Sequence, residues 1–447
     1  MTWRRTTWAL HVLVVGLALH NLVMAQLWRW GVRGNALSAV AAWKDVLLVV
    51  ALVLAWSGRR GAIAFSLVDR LALLFTAFLV VYAVVPQHLL GGGATHKGVL
   101  YALRHDLLPV EAYFLGRGLW ASGLETSRVC RTIAWTAAGV AAFGLLDVYL
   151  VPLTFWRHEA AGWFRDQLGL HYFGLSGLPE NFIYNAGNNV IFRRLTSTFL
   201  SPLATGYLLV VALLVLPLRA RRWAPAVALL VFAALLWTHT RAALIALVLG
   251  LLVIALLRRA PFPLALAIVV AVVSVAFVKE YTHFGPRTRF TKQEQIEQEK
   301  NARASAPATN DATSARDSSL TEHASSLRAG ARTVLHHPWG YGLGNSGVTA
   351  ERTGVKVKAG ESTYTELGVE VGLAGALVFV AWSLALLWRL RRLPWLCAVF
   401  AAVLFLGLQT DIIGVPWIAV VVWALAGASA VGPRLLQRDG AESATFA

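Results

Sequence analysis

Apolar residues run in blocks of about twenty along nearly the whole chain, separated by short polar or arginine-bearing breaks. A helix needs about 20 such residues to cross a hydrocarbon core, so each block predicts a membrane-spanning helix. About twelve spans follow, near 8–28, 37–56, 64–86, 98–120, 131–153, 198–218, 223–238, 241–257, 262–279, 363–388, 394–411 and 416–433. The fold class is therefore all-α, a polytopic membrane protein. Two polar stretches interrupt the blocks. Residues 154–197 include FWRHEAAGWFRDQLGLHYFG, whose mixed aromatic and charged pattern predicts a helix lying in the headgroup plane. Residues 280–362 form the largest polar region. Its first part, TKQEQIEQEKNARASAPATNDATSARDSS, is too polar and Ala/Ser/Thr-rich to build a core, which predicts mobility. In its second part Leu327, Ala331, Val334 and Leu335 make one apolar helical face, Pro338 ends that helix, and glycines shape a tight loop after it.

Composition agrees: 57% of the 447 residues are hydrophobic and 14% charged, against roughly 45–50% and about 25% in soluble domains. The net charge of +17 would suggest nucleic-acid binding in a soluble protein. Here the arginines cluster in short breaks: Arg4/Arg5, Arg59/Arg60, Arg128/Arg131, Arg219/Arg221/Arg222, Arg258/Arg259 and Arg389/Arg391/Arg392. With the N-terminus inside, all six clusters face the cytoplasm, as the positive-inside rule requires. Nucleic acid is not an expected partner. Both termini are then cytoplasmic, including the tail 434–447, and both long polar segments lie outside, where function is expected. The first apolar run lacks a small-residue cleavage site and reads as a retained span. Trp28, Trp223 and Trp388 fit an aromatic belt. Cys130 and Cys397 imply neither a disulfide framework nor a metal site, and no metal or other cofactor is expected.

The charges beside the spans carry the candidate chemistry. Thr240-Arg241 opens a helix from the outer side. Its charge opposes the helix dipole, which a bound anion or lipid headgroups would relieve. Arg193 and Arg194 precede another span, beside the hydroxyls of Thr196, Ser197, Thr198 and Ser201, with Pro202 marking the helix start. They read as the second half of an anion clamp or as headgroup contacts. Arg328, Arg332 and His336 recur at i, i+4 and i+8, a solvated basic stripe or a substrate-contacting one. His337 is a substrate contact or a loop histidine. Lys44-Asp45 and Arg104-His105-Asp106 read as internal structural pairs. Among the glutamates of ESTYTELGVEVGLAG, Glu366 matches a capping box with Thr363. Glu370 points into the span, towards a cation partner. Capping does not explain Glu361. A lipid-linked diphosphate sugar would use this set: arginines meet the charge on the leaving diphosphate, and a carboxylate, Glu361, takes the proton of the attacking hydroxyl.

Four segments in order resemble the O-antigen ligase and polysaccharide polymerase superfamily: RRLTSTFLSPLATG, THTRAALIALVLG, LHHPWGYGLGNSG and ESTYTELGVEVGLAG, within roughly 190–380. The resemblance implies an inverting glycosyltransferase of the C-type membrane fold in the bacterial inner membrane. Such an enzyme takes glycans from undecaprenyl diphosphate on the periplasmic face and passes them to a glycan or lipid-linked acceptor. By position Arg194 and Arg241 correspond to the diphosphate-binding arginines, with Arg193 as a substitute and Arg332 assisting. Family ligases usually carry His-Asn where this chain has Glu361-Ser362, and a glutamate there looks more like the polymerase branches. Polymerase is therefore the expected activity. Ligation of polysaccharide to lipid A-core is the alternative, and a transporter or lipid flippase is a third reading.

Overall fold

The computed structural model describes residues 7–57, 65–121, 124–170, 178–186, 190–216, 221–289, 292, 296 and 318–430. Arg4, Arg5, Arg59, Arg60, Arg219, most of the Ala/Ser/Thr-rich stretch and the 434–447 tail lie outside the described residues. The chain is an all-α integral membrane protein. Its helices are α1 Thr7–Arg29, α2 Gly34–Ala41, α3 Trp43–Ser57, α4 Leu67–Val84, α5 His96–Ala121, α6 Thr126–Leu150, α7 Leu153–Glu159, α8 Pro202–Val215, α9 Ala224–Trp237, α10 Arg241–Arg258, α11 Pro261–Phe284, α12 Ser318–His336, α13 Gly347–Arg352, α14 Thr363–Leu390, α15 Pro394–Leu406 and α16 Pro416–Ser429. Among the described residues seven helical segments are long and apolar enough to cross a membrane, and α8, α9, α15 and α16 are shorter apolar helices.

Lipid supplies little hydrophobic drive between helices, so the bundle depends on close backbone approach. The tightest place is between α5 and α16: a side chain at Gly116 would strike the Ala424 carbonyl, and one at Gly427 the Tyr113 carbonyl. Trp382, Trp417 and Trp423 fill the core around that contact.

α14 is not one continuous helix. Val371 (φ −119°, ψ 16°) and Gly372 (φ 72°, ψ 170°) break it, and the Pro338–Tyr341 loop occupies the break. Tyr341 N donates to Val369 O at 2.6 Å and Leu373 N to Pro338 O at 2.8 Å. The backbone groups freed by the break are thus paired by protein, as a membrane segment requires. Tyr82 of α4 donates to Trp339 O at 2.5 Å, so the break lies level with the end of α4. The segment Thr363–Val371 therefore stands at the loop-bearing end of the bundle, above the spanning part.

One local expectation is refined and one corrected. Among the described residues the helix expected in the stretch from 154 ends at Glu159. The stretch holds α7, a single wide turn at Trp163–Gln167, and strands β1 Ile183–Asn185 and β2 Ile191–Arg193. Trp156, Trp163 and Phe164 bury themselves against Met24, Ala25 and Leu37 as a second core. Trp156 donates to Asp147 at 2.7 Å and Glu159 pairs with Arg29 at 2.8 Å, which fixes α7 to the bundle. In α12 the packed face is Gly330 and Val334, against Thr365 and Gly368 of α14. Ala331 and Leu335 face outward. The small residues at 330 and 368 allow the close approach, and that decides which face is buried. The helix does end at His336, just before Pro338.

β2 also pairs antiparallel with β3, Arg287–Thr288. This small sheet joins the segment entering α8 to the segment leaving α11, and it delivers Arg193 and Arg194.

Candidate functional site

The adjacent arginines have opposite fates. Arg193 is buried and forms an ion pair with Asp147 at 3.0 Å; it also donates to the Asp147 and Val151 carbonyls. Its charge is met by Asp147 inside the protein, with Nε buried and unpartnered, so it ties β2 to α6 and is the less available cation for the diphosphate expected of it. Arg194 points the other way. Its Nε donates to Thr238 O at 2.9 Å and an Nη to Thr240 Oγ1 at 3.1 Å. Both acceptors are neutral, and no carboxylate pairs with it among the described residues.

Those two hydrogen bonds carry Arg194 to the start of α10. Thr240 is the residue before the helix, and Arg241 is its first residue, as the sequence predicts. Arg194 and Arg241 stand close enough for their charges to act on one another: burial, assisted by Arg241, pulls the Arg194 pKa down to about 10. Two cations beside a helix N-terminus, one of them without an acid, form a ready anion site.

His239 sits within the same turn. Its ring lies 4.4 Å from that of Tyr184 on β1 and 4.5 Å from that of Tyr281 on α11, centroid to centroid. Tyr281 OH donates to Arg193 O at 2.6 Å. Sequence reasoning passed over His239, Tyr184 and Tyr281. They lie far apart along the chain and carry no motif of their own, and the only available signal was that His239 falls inside the quoted THTR segment.

Of the hydroxyls expected to assist the clamp, Thr196 Oγ1 is buried without a hydrogen-bond partner and the other three have other duties. Ser197 donates to Val140 O, Thr198 to Ala18 O, and Ser201 caps α8, accepting from Ala204 N.

Glu361 lies at the other edge of the site. It is about half exposed, with Oε2 accepting from His323 Nδ1 at 2.9 Å. Hydrogen bonds from His323 and Ser326 hold its carboxyl below the ordinary range. Its backbone is left-handed (φ 66°), which a residue with a side chain adopts only where its surroundings enforce it. The enforcement is visible. Ser362 Oγ donates to Gly407 O at 3.1 Å, Thr363 N to the same carbonyl at 3.0 Å, and Thr363 Oγ1 accepts from Ile412 N at 2.8 Å.

The expected capping box is corrected. Ser362, not the residue after it, is the N-cap of α14 and makes no side-chain cap bond, while Glu366 reaches back to the Glu361 amide. Among the described residues no ion pair joins Glu370 to a cation: Gly344 N donates to it at 3.0 Å, and it meets Asp106 within the field of His105. His105 bridges Asp106 (2.7 Å) and Asp411 (2.8 Å), and Arg104 pairs with Asp45 across helices, while Lys44 turns to His20. Asp411, unweighed in the sequence, joins α5 to the start of α14.

The two edges are joined through packed elements. Tyr207 of α8, in the field of Arg194, hydrogen-bonds Thr410, whose carbonyl accepts from Thr363 two residues after Glu361. Arg328, Arg332 and His336 are exposed on one face of α12, and no contact joins them to Arg194 or Arg241 among the described residues. His337 is engaged as a latch: Nε2 meets Leu90 O at 3.0 Å and the ring stacks on Tyr341 at 4.1 Å. Among the described residues no group of three or more His, Cys, Asp or Glu is placed to hold a metal.

A family model described as O-Antigen ligase matches residues 225–380, roughly a third of the chain. These residues form a domain similar to that O-antigen ligase model. That domain supports membership of the O-antigen ligase and polymerase superfamily. It runs from the start of α9 into the spanning part of α14 and includes His239, Arg241, α12, the inserted loop and Glu361. Arg193 and Arg194 precede the O-antigen ligase domain and reach it through Thr238 and Thr240. No curated protein and no solved structure gives a significant match to the chain.

Proposed function

We propose that this protein is an inverting glycosyltransferase of the inner membrane that polymerises undecaprenyl-diphosphate-linked oligosaccharide units at the periplasmic face. The observation that carries this reading is the uncompensated Arg194 anchored beside Arg241. A diphosphate leaving group supplies the negative charge that Arg194 lacks, and preorganised cations stabilise it most as its charge grows.

In this mechanism the diphosphate oxygens face Arg194 and Arg241. The acceptor hydroxyl oxygen attacks the anomeric carbon from the opposite face. As that bond forms, the bond from the anomeric carbon to the diphosphate breaks, and its electron pair leaves with the phosphate oxygen. Glu361 takes the hydroxyl proton. Its depressed pKa keeps it ionised at neutral pH, at some cost in base strength. Arg332 and Arg328, on the exposed face of α12, stand where the glycan of a bound donor would pass.

Glutamate at 361, where family ligases usually carry histidine, favours the polymerase. The family model's own description favours a second reading, transfer of finished polysaccharide to lipid A-core. Mass analysis of carrier-linked glycans in cells lacking the protein separates the two. Single repeat units on the carrier support the polymerase, and accumulated long carrier-linked polymer supports the ligase. Unchanged carrier-linked glycans contradict both.

A further inference from the structure

Buried polar atoms without partners are rare, and each calls for an explanation. His239 is 5% exposed, and its Nε2 is buried without a hydrogen-bond partner. Whichever tautomer is present, the N–H or the lone pair at Nε2 is unmet by protein among the described residues. Burial, with Arg194 and Arg241 adding to it, pulls its pKa down to about 3, so the ring is neutral.

Its backbone points to the same place. His239 is left-handed (φ 49°), as are Ser197 (φ 48°) and Leu200 (φ 51°), all non-glycine residues in the two segments that meet at Arg194. Such conformations persist where surrounding structure over-determines them, and they gather at ligand sites. Thr238 and Thr240, the flanking residues, are the two that hold Arg194. One tight turn therefore sets the guanidinium and the imidazole together.

We propose that His239 is a third anion-binding residue, donating its ring N–H to a phosphate oxygen held between Arg194 and Arg241. This rests on the diphosphate reading above and extends it to a residue with no assigned role. A neutral donor suits the position, because it adds a hydrogen bond without placing a third positive charge beside two others. Tyr184 and Tyr281 pack against the ring and hold it in place.

The test uses the full-length protein in phosphatidylcholine nanodiscs with farnesyl diphosphate as the probe. Wild type is compared with Arg194→Gln, His239→Phe and His239→Asn. Phenylalanine keeps the aromatic packing and removes the donor; asparagine keeps a donor and tolerates the left-handed backbone. A lost hydrogen bond to a charged group predicts about tenfold or more weaker binding for His239→Phe, with asparagine recovering part of it. In parallel, the imidazole 15N signal assigned by its absence in His239→Asn shifts when the probe is added to wild type, a readout that does not need the phenylalanine variant to fold.

If Arg194→Gln loses binding while His239→Phe binds like wild type or the 15N signal stays still, the inference fails and the diphosphate reading stands. If neither His239→Phe nor Arg194→Gln alters binding, both fail. If adding phosphatidylglycerol to the nanodiscs reproduces the 15N shift without the probe, the phosphate in question is a lipid headgroup, and the diphosphate assignment is overturned.

Discussion

At the scale of single residues the contrast between Arg193 and Arg194 is the sharpest prediction. Arg193→Met strands Asp147 as a buried, unpaired carboxylate, and breaking such a pair costs about 3–5 kcal/mol. Arg193 variants should therefore be lost as folded protein, visible as a lowered thermal midpoint in detergent. Arg194→Gln forfeits only bonds to neutral acceptors, so the protein should fold and lose glycan transfer by about a hundredfold or more. Equal thermal loss in both variants would remove the distinction. Glu361 gives a pH prediction. A base works when ionised, so activity falls as pH drops through its pKa, which lies below the ordinary value of 4.5. Removing the main cause with His323→Ala raises that pKa and should move the acid limb of the rate profile to higher pH. Glu361→Gln should abolish polymer formation while leaving the fold intact. Arg241, Arg194 and Glu361 were legible in the sequence because each is a charge that membrane topology leaves unexplained. Arg193 was not separable from its neighbour, since its partner Asp147 lies in another helix.

At the scale of elements the break in α14 is the feature most open to test. Gly372 has φ 72° and its Cα faces the Pro338 and Trp339 carbonyls, so an alanine there meets both backbone strain and collision. Gly372→Ala should lower stability by about 1–3 kcal/mol, read as a reduced thermal midpoint; an unchanged midpoint would mean that the inserted loop can move aside. Apolar blocks predicted helices well, because spanning length is itself the signal. The break was hidden because no proline marks it, and a glycine in GVEVGLAG reads equally as helix packing. The strands β1 to β3 were also hidden, being two or three residues long, with β2 and β3 paired across about a hundred residues of sequence. The reach of Glu366 to the Glu361 amide differs from the expected cap by register: the chain turns at Glu361, so Ser362 is the N-cap and the helix starts at Thr363.

At the scale of the whole molecule the loop-bearing end gathers every polar group argued to act. The turn between α9 and α10 carries the supports of Arg194, Glu361 directly precedes the N-cap of α14, and the turn containing Thr410 and Asp411 ties the two together. Composition predicted a membrane bundle, and the order of four weak motifs predicted the superfamily; the contacts that join those motifs depend on three-dimensional packing and were not legible.

The most direct measurement is the affinity of undecaprenyl diphosphate for the full-length protein in nanodiscs, wild type against Arg194→Gln/Arg241→Gln. The account predicts saturable binding that the double variant loses by about a hundredfold or more, with the variant still folded. Equal binding by the two proteins would contradict it.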